Sequence, residues 1–216
     1  MVRAGPVDLG GSLIVPAGAP GLVVFVHGSG SSRHSPRNRY VAAVLRTAGL
    51  GTLLFDLLTP EEEYDRGNVF DIELLADRLV EVVGWLRRRP EGAHRRIGLF
   101  GASTGAAAAL WAAAEHELDI GAVVSRGGRP DLAGPRLRQV QAPTLFIVGG
   151  HDDVVLELNR QARAELRCPS QLAIVPGATH LFEEPGTLAA AAELARDWFV
   201  QHLAAAPRGK VPTRSR

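Results

Sequence analysis

The stretch Arg96-Ile-Gly-Leu-Phe100-Gly-Ala-Ser103-Thr-Gly105-Ala-Ala-Ala-Ala-Leu110 decides how the rest of the chain is read. Its first five residues read as a short buried strand, and its last five, four alanines and a leucine, favour a helix. Between them, Gly101-Ala-Ser103-Thr-Gly105 flanks a serine with small residues. A strand that turns into a helix this tightly needs small neighbours, because the backbone passes close by. The turn also places Ser103 at a helix start, where free N–H groups and the positive end of the dipole face any charge developing on a substrate oxygen. A G-x-S-x-G match in an alanine- and glycine-rich chain can arise by chance. The strand before it and the helix after it are what make it a nucleophile candidate.

Outward from that turn, short β-branched runs alternate with helical stretches, the pattern of a parallel sheet covered on both faces. Residues 22–26 read as a central strand, 37–49 as a helix ending at Gly49, and 52–55 as the next strand. A helix over 72–89, closed by Pro90, precedes the serine turn. Beyond it, strands are expected at 120–124, 144–148 and 172–175, and helices at 106–117, 154–166 and 186–203. At the amino end, residues 7–9 and 13–15 flank Gly10-Gly11 and predict a hairpin at a sheet edge. The polar, acidic stretch 58–71 reads as a loop overhanging the site. Residues 1–203 suit one domain, and 204–216, with Pro, Gly and basic residues but no periodicity, read as a disordered tail.

Composition narrows the function classes. At 46% hydrophobic and 22% charged, the chain has the balance of an ordinary globular protein. A formal charge of +1 supplies no field to attract nucleic acid or an anionic membrane. No apolar run approaches the roughly 20 residues that cross a bilayer, and residues 1–8 do not look like a secretory signal. The single cysteine, Cys168, cannot form an internal disulfide. The expectation is a cytoplasmic monomer or small homo-oligomer acting on a small molecule, without cofactor or metal.

A serine hydroxyl needs a base, and the base needs an orienting group. After a turn of this kind they follow in the order serine, acid, histidine, at strand carboxyl ends. The strand at 144–148 runs into Gly149-Gly-His-Asp152-Asp153, and that at 172–175 into Pro176-Gly-Ala-Thr-His180. Of the seven histidines, His180 alone has both the order and the place, with His151 a near competitor. The Gly149-x-x-Asp152-x-x-Val155 spacing favours Asp152 as the acid and leaves Asp153 to solvent or to capping the next helix. After the strand at 22–26, His27-Gly-Ser-Gly30 lets backbone N–H groups approach a substrate oxygen, so the N–H groups of Ser29 and Thr104 are the candidate oxyanion donors. Read instead as a phosphate-cradling loop, Gly28-Ser-Gly30 lacks its third glycine, since Arg33 stands there. Arginines follow two of these loops, Arg33 and Arg37 after the first and Arg126 and Arg129 after the strand ending at Val124. Arg33 and Arg126 are candidates to clamp a substrate anion; a structural salt bridge or a solvated side chain is the plainer alternative.

Taken together, His27-Gly-Ser-Gly30, Gly101-Ala-Ser103-Thr-Gly105, Gly149-Gly-His-Asp152 and Gly177-Ala-Thr-His180 resemble the dienelactone-hydrolase-like branch of the α/β hydrolases, over about residues 7–203. Residues 30–38, 54–59 and 156–162 are similar to a bacterial subgroup sometimes fused to phosphoribosyltransferase domains. The resemblance implies an α/β-hydrolase fold with a mostly parallel eight-stranded sheet flanked by helices, and no cofactor. Dienelactone hydrolases carry cysteine where this chain has Ser103, so what the resemblance implies is ester or thioester hydrolysis, not dienelactone as the substrate. No long insertion separates the strands ending at Val124 and Val148, which predicts no large lid domain and an open pocket. The rival expectation is a non-catalytic receptor or partner-binding module on the same fold.

Overall fold

The structure is a computed structural model and describes residues 1–204. The chain opens with β1 (Val2–Ala4), turns, and pairs back through β2 (Val7–Leu9), with Val2 opposite Leu9. Next come β3 (Gly11–Ile14), β4 (Gly21–Val26), α1 (Pro36–Thr47) and β5 (Gly51–Phe55). Two short helices, α2 (Pro60–Glu63) and α3 (Arg66–Phe70), lead into α4 (Ile72–Arg87). The second half comprises β6 (Arg96–Ala102), α5 (Thr104–Ala113), β7 (Ile120–Arg126), β8 (Thr144–Gly149), α6 (Asp153–Glu165), β9 (Ser170–Val175) and α7 (Thr187–Leu203). Apart from Ala204, the tail expected over 204–216 lies outside the described residues.

Strand alternation divides the interior into two cores. Leu22, Val24 and Val26 of β4, with Leu53, Ile97, Val123 and Phe146, pack against α4 and α5 on one face. Val23 and Phe25, with Leu54, Phe100, Val124 and Ile147, pack against α1 and α7 on the other. The seven strands run in the order β3-β5-β4-β6-β7-β8-β9, all parallel except β3. The direction of winding reverses between β4 and β6, and a crevice opens there at the strand carboxyl ends.

Three expectations are corrected. Among the described residues the sheet has seven strands, not eight, and the hairpin between 7–9 and 13–15 does not form. Instead β2 pairs with β1, because Val2, Ala4 and Leu9 are almost wholly buried in the core that α4 covers; β3 separately joins the sheet edge at β5. The stretch 58–71 is partly helical. Thr59 accepts from the Glu62 N–H at 3.2 Å while its own N–H donates to the Glu62 carboxylate at 2.9 Å, a capping box that starts α2. Between β7 and β8 the chain makes 3-10 turns over Pro130–Gln139, broken at Gly134, and no inserted domain. No helix among the described residues is long and apolar enough to cross a membrane.

Candidate active site

β6 runs through Ala102 and α5 begins at Thr104, so Ser103 alone makes the turn. It does so at φ 51° and ψ −126°, a conformation that costs a non-glycine residue about 1–3 kcal/mol. The surroundings hold it there. Its N–H donates to the Arg126 carbonyl at 3.3 Å, and its carbonyl accepts from the N–H groups of Ala106 and Arg129, each at 3.1 Å. Gly28 lies directly across from it: a methyl group on Gly28 would sit 2.9 Å from Ser103 Cβ and 3.0 Å from the Ala102 carbonyl oxygen. Gly105 has the same kind of role one step on, since a side chain there would collide with the carbonyl groups of Val26 and His27. That closeness lets α5 press against the end of β4.

Asp152 stands at the N-cap of α6, yet its side chain makes no capping bond. Its Oδ2 accepts instead from His180 Nδ1–H at 2.7 Å. An ionised carboxylate can only accept, so the Nδ1 proton is fixed by this partner and Nε2 is left as the acceptor of a neutral ring. The two loops are tied by backbone bonds as well, from Gly150 N–H to the Val175 carbonyl and from His151 N–H to the Ala178 carbonyl, both 2.9 Å. Next to His180, Thr179 donates its N–H and its hydroxyl to the Glu184 carboxylate at 3.1 and 2.6 Å, which holds that carboxyl below its ordinary pKa. Asp153 is exposed in the first turn of α6 and caps nothing.

Ser103 and His180 line one cleft of about 220 Å³, together with Gly28, Ser29, Arg126 and Leu181. Across the 28–37 loop lies a larger cavity of about 620 Å³, which shares Gly28, Ser29, Ser31, Ser35 and Arg37 with the first and is walled by polar residues, His34 and Glu63 among them, as well as by Leu57, Leu58, Val69 and Leu75. The acidic segment after β5 thus forms one side of the crevice.

The two expected donors differ in what they already bond. The Ser29 N–H is not free: it donates to Thr104 Oγ1 at 2.8 Å, because the residue following the serine carries a hydroxyl that reaches the loop. The Thr104 N–H, in the first turn of α5, has no intrahelical acceptor by helix geometry. Nor does Arg33 face the serine. Its guanidinium pairs with Asp56 and its N–H donates to the same carboxylate at 2.7 Å. Arg129 pairs with Asp131 at 2.8 Å, and Arg37 makes only a long contact of 3.4 Å with Glu183. Arg126 differs from all three: it is 6% exposed, lines the Ser103 cleft, and among the described residues no carboxylate pairs with it.

Some contributors were not singled out from the sequence. The wholly buried Asn159 of α6 donates from Nδ2 to the Gly128 carbonyl at 2.9 Å and so links the helix that Asp152 precedes to the loop after β7. His27 donates from Nδ1 to the Gly28 carbonyl (3.0 Å) and accepts the Leu57 N–H at Nε2 (3.1 Å), and burial lowers its pKa. Buried polar residues inside apolar patterns are the only hint in the sequence. Among the described residues no three His, Cys, Asp or Glu side chains group together as metal ligands would.

Comparison with known proteins places this geometry among relatives. The family model described as the dienelactone hydrolase family matches residues 53–206. A protein of two Mycobacterium tuberculosis strains, whose name provisionally calls it a phosphoribosyl transferase, is 65% identical over 202 residues, which make up 94% of this chain and 46% of that protein. The chain spans about half the length of these curated relatives. Among solved structures, a dienelactone hydrolase from Anabaena variabilis is 56% identical, covers 94% of this chain and 95% of its own, and superposes with a TM-score of 0.91. Est1E from Butyrivibrio proteoclasticus gives a TM-score of 0.78 over 93% and 97% of the two chains, and at 15% identity it shows the fold alone.

Proposed function

The chain belongs to the dienelactone hydrolase family, and on that premise we propose that it is a serine hydrolase that cleaves small carboxylic esters or thioesters through an acyl-enzyme. The observation that carries the reading is the 2.7 Å bond from His180 Nδ1–H to Asp152, which leaves Nε2 as the ring's acceptor, together with the cleft that His180 and Ser103 both line. Ser103 Oγ attacks the carbonyl carbon as its proton passes to His180 Nε2. The bond to the leaving oxygen or sulfur then breaks, and that atom takes the proton from His180. Water attacks the acyl-enzyme, gives a proton to the same nitrogen, and the carbon–Oγ bond breaks as the proton returns to Ser103. Asp152 holds the ring and balances its transient positive charge. The oxyanion is met by the Thr104 N–H, and by the Ser29 N–H once this donor exchanges Thr104 Oγ1 for the substrate oxygen.

The rival reading, a non-catalytic receptor, has one observation in its favour: the Ser29 donor is already occupied. A fluorophosphonate probe separates the two. Labelling of the wild type that vanishes in Ser103→Ala, with p-nitrophenyl ester turnover lowered by at least about 10³-fold, is the expected result. A folded wild type that neither labels nor turns over any ester of the series supports the receptor.

A further inference from the structure

The turn after β7 is where the two halves of the site meet. On one side it brackets Ser103: the Arg126 carbonyl accepts from the Ser103 N–H, and the Arg129 N–H donates to the Ser103 carbonyl. On the other it meets the half that carries Asp152 and His180, which their 2.7 Å bond holds together. Two hydrogen bonds cross from residues 127–129 to that half. The Gly127 N–H donates to the Ile147 carbonyl of β8 at 2.8 Å, and the Gly128 carbonyl accepts from Asn159 Nδ2 at 2.9 Å. The fit is close, since a methyl group on Gly127 would lie 3.2 Å from the His180 carbonyl oxygen and 3.6 Å from its Nδ1. Among the described residues, Asn159 makes the one side-chain hydrogen bond between α6 and this turn.

Asn159 is wholly buried and lies about two helical turns beyond Asp152, which precedes α6. Its amide nitrogen gives its second proton to the Val155 carbonyl at 2.7 Å. Two carbonyls against the nitrogen fix which way the amide points, because only its NH2 group can donate to them. The amide oxygen is left in the core with no hydrogen-bond partner. An unpaired buried amide oxygen is costly, and a leucine of similar size would fill the space without one. What the amide supplies in return is a fixed reach from α6 to the turn that holds Ser103.

We propose that Asn159 is a positioning residue: its bond to the Gly128 carbonyl sets how far Ser103 Oγ stands from His180 Nε2, although Asn159 does not line the cleft. This rests on the serine-hydrolase reading and adds to it a residue that acts on the reaction only through the backbone. β7 and β8 are paired only over Val123–Arg126 against Thr144–Ile147, so few bonds oppose sliding along that seam. A bond placed just past its end limits the sliding beside the reacting atoms, where small displacements are most costly.

Two substitutions separate position from stability. Asn159→Leu keeps the volume and deletes both the bond and the unpartnered oxygen, whereas Asn159→Ala deletes the bond and leaves a cavity. Rates are read at a temperature at which circular dichroism shows each variant folded. Both variants are expected to react with a fluorophosphonate probe about 10- to 100-fold more slowly than the wild type. Both should lose the same factor in kcat for p-nitrophenyl acetate, with KM changed by less than about threefold. The melting temperature should behave otherwise, staying within about 3 °C of the wild type for leucine and falling by about 5 °C or more for alanine. Asp152 and His180 lie in the same half, so the pH midpoint of labelling, which their pairing sets, should stay where the wild type has it. Labelling of both variants at the wild-type rate overturns the positioning role and leaves the hydrolase standing. Rate losses that follow the melting temperature, small for leucine and large for alanine, make Asn159 structural and overturn it too, as does a shifted midpoint. Should the leucine variant not fold, the alanine variant decides by its midpoint and by whether its loss falls on kcat or on KM. A wild type that neither labels nor turns over ester overturns the hydrolase reading, and the positioning role with it.

Discussion

Gly28 and Thr104 hold the geometry around Ser103 from opposite sides of the crevice. A methyl group at Gly28 would come within 2.9 Å of Ser103 Cβ, so Gly28→Ala must displace either the loop or the serine. We expect ester turnover to fall about 10²-fold or more while the far-UV circular dichroism is retained, since small misplacements of reacting atoms are costly. Thr104→Val removes the acceptor of the Ser29 N–H and should cost about 1–3 kcal/mol in a urea titration, whereas Thr104→Ser should keep most of it. Legibility differs residue by residue. That His180 and Asp152 would meet can be read from their places after consecutive parallel strands, because such ends share one rim. That Thr104 would use its side chain and not only its backbone cannot be read, since a rotamer depends on what faces it. Arg126 lies between the two. Its place near the site follows from the strand before it, but its lack of a partner depends on which carboxylates the fold brings near, and Arg33 and Arg129 each acquired one.

At the scale of elements, α5 is pressed onto the end of β4 with no room at Gly105, where even a methyl group would meet the carbonyls of Val26 and His27. Gly105→Ala should therefore destabilise the protein by about 1–3 kcal/mol, visible as a lower urea midpoint with an unchanged slope. The parallel strands are legible because each is a continuous apolar run bounded by turn residues, as burial on both faces demands. The amino-terminal strands are not. With three residues in β1 and in β2 and four in β3, local pattern cannot choose among partners; the choice fell to the burial of Val2, Ala4 and Leu9 beside α4. The acidic run Glu61-Glu-Glu63 reads from sequence as a solvated loop face or a helix start, and it is the start of α2, which Thr59 and Glu62 announce by their spacing.

Across the whole molecule, buried neutral histidine links stability to pH. Burial lowers the pKa of His27, and less deeply that of His202, below the ordinary 6.5. The unfolded chain therefore takes up protons first. Stability is fully expressed above pH 6.5 and is lost as the pH falls below it, by up to about 1.4 kcal/mol per pH unit for each group. Urea midpoints at pH 7.5, 6 and 5 would show this slope, and His27→Gln should flatten it. The sheet itself is joined unevenly. β7 meets β8 over only Val123–Arg126 against Thr144–Ile147, whereas β6–β7 and β8–β9 are each paired at six positions. Ser103 belongs to one side of that short seam, while Asp152 and His180 belong to the other. Slippage along it would part Ser103 from His180 while most of each half stays folded. On the proposed reading activity is then more fragile than the fold, and in rising urea ester hydrolysis should cease before ellipticity begins to fall.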